Sequence, residues 1–322
     1  MGEYTLVWRK STEGDYSKMS IKNIYQKTET EVLEPDAGVS QVSKRMLPQR
    51  VGIFPWVFLL GIAAAELLIG YSSVQAGMIL QILILAAILW QVAASEHRLK
   101  LDDAVVDVAN RKNMSEVSKR FYLSLTLVPL IRIVSLSIPL KAIPLPYWYL
   151  LVGIPIFVAV LLVNKQAGFQ WKDFNLCIGK CQSLWRNIFL QLSIALSGIL
   201  LGLIGINILK MPLLPRLTWG EVVLLALILL VFTGFTEELI FRGILRRAAD
   251  DYLGRELAVV YVSFLFASLY ITHMSVTCVF FVFGASVLFT LFVYRTESLL
   301  GVALAHGLAN ITLLLIAPQL LL

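Results

Sequence analysis

"TGFTEELIFRGILRRAADDYLG", residues 233–254, closes a long apolar run and sets Glu237, Glu238 and Arg242 inside it. The surrounding chain otherwise avoids charge. Of its 322 residues 58% are hydrophobic and 15% charged, and the mean hydropathy is +0.79. A soluble domain of that composition could not cover its own surface, so the reading is an all-α, polytopic integral membrane protein. Ionisable groups in a membrane helix are costly unless they pair or face a wet cavity, which makes these three functional candidates by default.

Working outward, spans of about twenty apolar residues fall at roughly 51–72, 77–95, 121–140, 147–163, 187–209, 220–245, 256–272, 276–294 and 298–317. That predicts eight to nine transmembrane helices, the third interrupted by Pro129, Arg132 and Pro139. With a cytoplasmic N-terminus, the inner segments hold 22 Lys/Arg and the outer ones only Lys141, Lys210 and Arg216. This asymmetry orients the chain N-terminus in and C-terminus out. It also accounts for the net charge of +6 as membrane topology and excludes a nucleic-acid partner.

Residues 1–50 mix eight Lys/Arg with seven Asp/Glu and read as a soluble, partly disordered extension. They carry no signal-peptide pattern. Residues 51–186 read as N-terminal membrane helices plus a connection, "GFQWKDFNLCIGKCQSLW" (168–185), that is either an amphipathic segment on the inner interface or an ordinary loop. Cys177 and Cys181 stand one helical turn apart without a His or carboxylate at ligand spacing, so no metal site is expected.

The ionisable groups concentrate in residues 187–322. On a helix Glu238 and Arg242 stack four residues apart, while Glu237 points about 100° away and has no local cation. One carboxylate is thereby neutralised, and the other is left facing the interior as a candidate general base. Glu237 lies about thirteen residues, ~20 Å, from the helix end at Asp250, too deep to snorkel. In "AHGLANIT", His306 and Asn310 share a helix face and can either donate to one oxygen as an oxyanion site or form a polar knot between helices. In "FLFASLYITHM", Phe266, Tyr270 and His273 follow at four and three residues.

In this order the motifs resemble the CAAX protease and bacteriocin-processing family of intramembrane endopeptidases, over roughly residues 187–317. "EELIFR" matches the family's E-E-x-x-x-R and "HGLAN" its H-x-x-x-N/D, whereas "FASLY" has Tyr270 where F-x-x-x-H has histidine. The resemblance implies Glu237 as the base that activates water. It makes Glu238 and Arg242 a supporting ion pair, and His306 with Asn310 the oxyanion donors, without a metal or other cofactor. The H-E-x-x-H arrangement of zinc proteases is absent. The implied partners are membrane lipids and a membrane-associated or lipidated peptide substrate. The implied setting is a multi-pass membrane protein, in the plasma membrane of a prokaryote.

At position 270 three readings stand: His273 substitutes for the missing imidazole, Tyr270 itself orients the water, or the site is degenerate and the protein is a scaffold. Counting from Glu256, Tyr270 lies ~21 Å deep and His273 ~25 Å. Tyr270 is thus the better match to Glu237. A proton-coupled transporter is a remoter reading, since no paired broken helices appear in two matching halves.

Overall fold

The computed structural model describes residues 52–101, 108–179, 183–209 and 217–316. The N-terminal extension read at 1–50, and Cys181, lie outside them. The described residues are helical throughout, joined by short turns, with no strand. In chain order the helices are α1 (Phe54–Tyr71), α2 (Val74–Leu101), α3 (Val108–Leu125), α4 (Leu127–Ser137), α5 (Leu145–Ala167) and α6 (Leu184–Leu209). There follow α7 (Trp219–Leu253, built from five consecutive helical pieces), α8 (Arg255–Ser268), α9 (Val276–Thr296) and α10 (Leu300–Ile311).

Among the described residues seven segments are long and apolar enough to cross a bilayer, α3 with α4 forming one of them. The seventh and ninth predicted regions differ. α8 has only 14 residues, ~21 Å. α10 has 12, followed by a five-residue π-helical run, Thr312–Ile316.

The interruption read in the third span is a break at Thr126. Its hydroxyl turns back to donate to Leu123 O (2.6 Å), and Pro129 brings no N–H to the first turn of α4. α5 begins with Pro146 in its first turn and stops at Gly168, whose φ of 68° is the left-handed cap that glycine adopts without strain. α7 begins with a reciprocal capping box. Thr218 N–H donates to Glu221 Oε2 (2.8 Å), and Glu221 N–H donates back to Thr218 Oγ1 (3.4 Å). Residues 168–179 are no amphipathic helix. One 3-10 turn, Trp171–Phe174, buries Phe174, and Asn175 O accepts from Leu299 N–H (2.8 Å), fastening the segment to the start of α10.

At one end of the bundle an aromatic cluster joins α1, α3, α7 and α8. Phe121 stacks on Tyr252 at 4.6 Å, and the Tyr261 hydroxyl donates to Pro55 O (3.0 Å). Leu, Ile, Phe and Trp side chains remain on the outer faces, Trp185 and Trp219 among the most exposed. In a bilayer those faces meet lipid, so exposure there carries no solvation cost.

What positions the site is the clasp on α10. A Cβ added at Gly198 of α6 would sit 1.9 Å from Ala305 O, and one at Gly234 of α7 would sit 2.7 Å from Ala303 O. Both glycines therefore let a neighbouring backbone reach α10 directly, the close approach that small residues give membrane helices.

Candidate active site

α7 carries the paired glutamates between two π-helical runs, Leu229–Phe235 and Leu239–Leu245, with a three-residue α segment, Thr236–Glu238, between them. Wide turns of this kind shift the angular register of the side chains that follow and recur at functional sites.

Glu238 and Arg242 are fully buried and bonded, Arg242 Nη1 to Glu238 Oε1 at 2.8 Å. Arg242 Nη2 donates to Ser286 Oγ of α9 (2.8 Å), and the guanidinium lies 4.5 Å from the centre of the Phe266 ring. The arginine is thus held on three sides, by an acid, a hydroxyl and an aromatic face.

His306 approaches from α10. Its Nδ1 is 2.7 Å from the same Glu238 Oε1, and its Nε2 is 3.7 Å from Glu237 Oε2. An ionised Glu238 only accepts, so Nδ1 carries the proton and donates. Nε2 is thereby the ring atom that addresses Glu237, fixed in tautomer and direction by the second glutamate. Phe266 meets the imidazole edge-on at 5.7 Å and 89°, fixing the ring plane. Glu237 keeps 29% of its side chain accessible, against none for Glu238. Of the two neighbouring carboxylates, one is locked and one open.

Asn310, one turn after His306, donates its amide to Thr233 Oγ1 (2.9 Å), and the Thr233 hydroxyl donates onward to Leu229 O. A cavity of about 60 Å³ is lined by Arg242, Tyr270, Ser286, Phe289, His306 and Asn310, among others. That space exceeds the ~10–15 Å³ a single water needs in such a measure. Apolar side chains from α6, α9 and the π-helical run after α10 complete it, including Leu201, Phe281 and Leu313.

Tyr270 and His273 separate. Tyr270 follows the last turn of α8, half-buried on the cavity wall, whereas His273 sits in a 3-10 turn, Ile271–His273, only partly covered and stacked on Tyr270 at 5.5 Å. The helix expected to run to 272 stops at Ser268. Burial, and after it the Arg132 guanidinium, hold His273 below the ordinary histidine range. His273 is thus neutral at pH 7 and does not line the cavity.

Sequence reasoning missed Ser286, Thr233 and a second buried ion pair. Arg132 of α4 meets the fully buried Glu66 of α1, with Nε donating to Oε1 at 2.8 Å and Nη2 2.6 Å from Oε2. The available signal was that each is the lone ion of its span. A charge at the centre of a membrane helix costs roughly 2.5–3.5 kcal/mol on insertion scales, so two such residues point to each other.

Residues 218–312 match the family described as Rce1-like, type II CAAX prenyl endopeptidase Rce1-like. Over that segment the chain is similar to the CAAX protease family. The matched segment runs from the cap of α7 to the end of α10 and contains Glu237, Glu238, Arg242, Tyr270, His306 and Asn310. α1 to α6, with Glu66 and Arg132, lie outside it. No curated protein and no solved structure matches the chain. Among the described residues no group of three or more His, Cys, Asp or Glu could hold a metal ion.

Proposed function

We propose that the chain is an intramembrane endopeptidase that hydrolyses a peptide bond at the membrane with water activated by Glu237. The observation that carries this reading is the His306 ring between the two glutamates, at 2.7 Å from Glu238 and 3.7 Å from Glu237. A water beside this gap gives one proton to Glu237 as its oxygen attacks the scissile carbonyl carbon. The carbonyl π electrons move to oxygen, and the tetrahedral oxyanion takes hydrogen bonds from the polar groups of α10, the Asn310 amide and, when its ring also carries a proton on Nε2, His306. Collapse of that intermediate breaks the C–N bond, and Glu237 returns its proton to the leaving amine. Glu238 and Arg242 hold the imidazole and do not meet the substrate. Tyr270, on the cavity wall, supplies a hydroxyl that hydrogen-bonds the water or the oxyanion.

The substrate is a membrane-associated or lipidated peptide, and lipid is the medium. The N-terminus faces the cytoplasm, and the setting is the plasma membrane of a prokaryote. Lys/Arg asymmetry supports the orientation. The test is turnover of a panel of prenylated and membrane-anchored peptides by purified wild type and Glu237→Ala. A drop of 10²–10⁴ supports the reading, and equal turnover refutes it.

Tyr270 motivates a second reading, a catalytically degenerate member that binds a membrane partner. Tyr270→His separates the two. A large gain of proteolysis marks a degenerate site, and a loss marks a tyrosine that works.

A further inference from the structure

The carbonyl of Leu269 is one of the backbone acceptors left over where α8 ends. It is taken by a side chain from a distant helix. Arg132 Nη2 donates to Leu269 O at 2.6 Å. The guanidinium is gripped by Glu66 through Nε and the same Nη2, and Glu66 Oε1 also accepts from Gln81 Nε2 of α2 at 2.9 Å. Glu66 and Gln81 are both fully buried. Three helices thus converge on one carbonyl, and the next residue is Tyr270. Its backbone, at φ −97° and ψ 1°, no longer has α-helical geometry.

We infer that Arg132, oriented by Glu66 and Gln81, is a positioning residue that clamps the end of α8 at Leu269 and thereby sets the placement of the Tyr270 hydroxyl on the cavity wall. The catalytic part of this inference rests on the endopeptidase reading; the clamp itself does not. The N-terminal helices, outside the segment that matches the family, thus act on the site through one hydrogen bond. A charged donor to a neutral carbonyl is among the stronger hydrogen bonds available. A planar fork can serve the carboxylate and the carbonyl together, which the point charge of lysine does poorly.

The full-length chain is used for the test. Arg132→Gln is made together with Glu66→Gln, so that no buried carboxylate loses its cation. Glu66→Gln alone breaks the ion pair and keeps the donor to Leu269. Hydrogen exchange is read over 266–274 and, as reference, over 300–311. The clamp predicts exchange at least tenfold faster over 266–274 in the double variant, within threefold of wild type in Glu66→Gln, and unchanged over 300–311. Unchanged exchange over 266–274, or equal acceleration in both segments, overturns it. Turnover adds the catalytic arm. The double variant should lose at least tenfold in kcat with KM within twofold, Arg132→Lys should recover only part, and adding Tyr270→Phe should cost nothing further. Multiplying losses would show that Arg132 does not act through Tyr270. A Glu237→Ala control run in parallel identifies failure of the endopeptidase reading, and exchange still decides the clamp when turnover is absent.

Discussion

Replacing Arg242 by methionine isolates the charge logic of the site. Arg242 is fully buried, bonded to Glu238 at 2.8 Å and to Ser286 at 2.8 Å. Methionine preserves much of the apolar volume and removes the cation. Glu238, with none of its side chain accessible, then keeps one close cationic candidate, His306 at 2.7 Å. Breaking a buried pair from one side costs about 3–5 kcal/mol, because the remaining charge stays desolvated. The loss of the cation–π contact with Phe266 adds about 0.5–2 kcal/mol. Adding Glu238→Gln removes the orphaned charge, and the double variant should recover most of the stability while remaining inactive, since His306 loses the carboxylate and the ion pair that hold its ring. The assay is equilibrium unfolding in mixed micelles with turnover measured in parallel. The reasoning is refuted if Arg242→Met costs under ~1 kcal/mol, the range of exposed pairs, or if Glu238→Gln makes the methionine variant less stable still.

Three further outcomes are expected. Thr233→Val removes the acceptor for the Asn310 amide and should cost ~1 kcal/mol of stability and lower kcat, with KM little changed; steady-state kinetics checks it. Gly198→Ala places a Cβ where Ala305 O now lies, 1.9 Å away, and overpacking of this kind costs typically about 1–3 kcal/mol. Its cost should appear as lower unfolding stability together with lost turnover, because His306 moves with α10. His273, held below its ordinary value of 6.5 by burial and then by Arg132, binds its proton more tightly in the unfolded chain. Its contribution to stability is therefore full above about 6.5 and falls as the pH drops through that value towards the folded one. An NMR titration should place the folded midpoint below 6.5, and Arg132→Gln with Glu66→Gln should raise it.

The parts of the site legible in the sequence are those written in local spacing. Glu238 and Arg242 meet because four residues make one helical turn, and Glu237 is freed by the same geometry. Depth counting matched Tyr270 to Glu237; Tyr270, not His273, lines the cavity, and Glu237 is not among the lining residues. The spans were legible because a bilayer imposes their length. α8 was read too long because "LYITHM" contains no glycine or proline to stop it. The stop coincides with a bond from Arg132, 137 residues away in sequence, and no local pattern encodes that. Distance along the chain likewise hid Ser286 beneath Arg242 and Thr233 beneath Asn310. The π-helical turns around the glutamates depend on tertiary packing as well, with α10 seated against α7 through Gly234 and Gly307.

The central claim is that Glu237 is the base. Turnover of a membrane-anchored peptide by Glu237→Gln, an isostere that keeps the shape and loses the proton acceptor, tests it most directly. The account predicts kcat lower by 10²–10⁴ with KM close to that of wild type and folding intact. A glutamine variant that turns over as fast as wild type would contradict it.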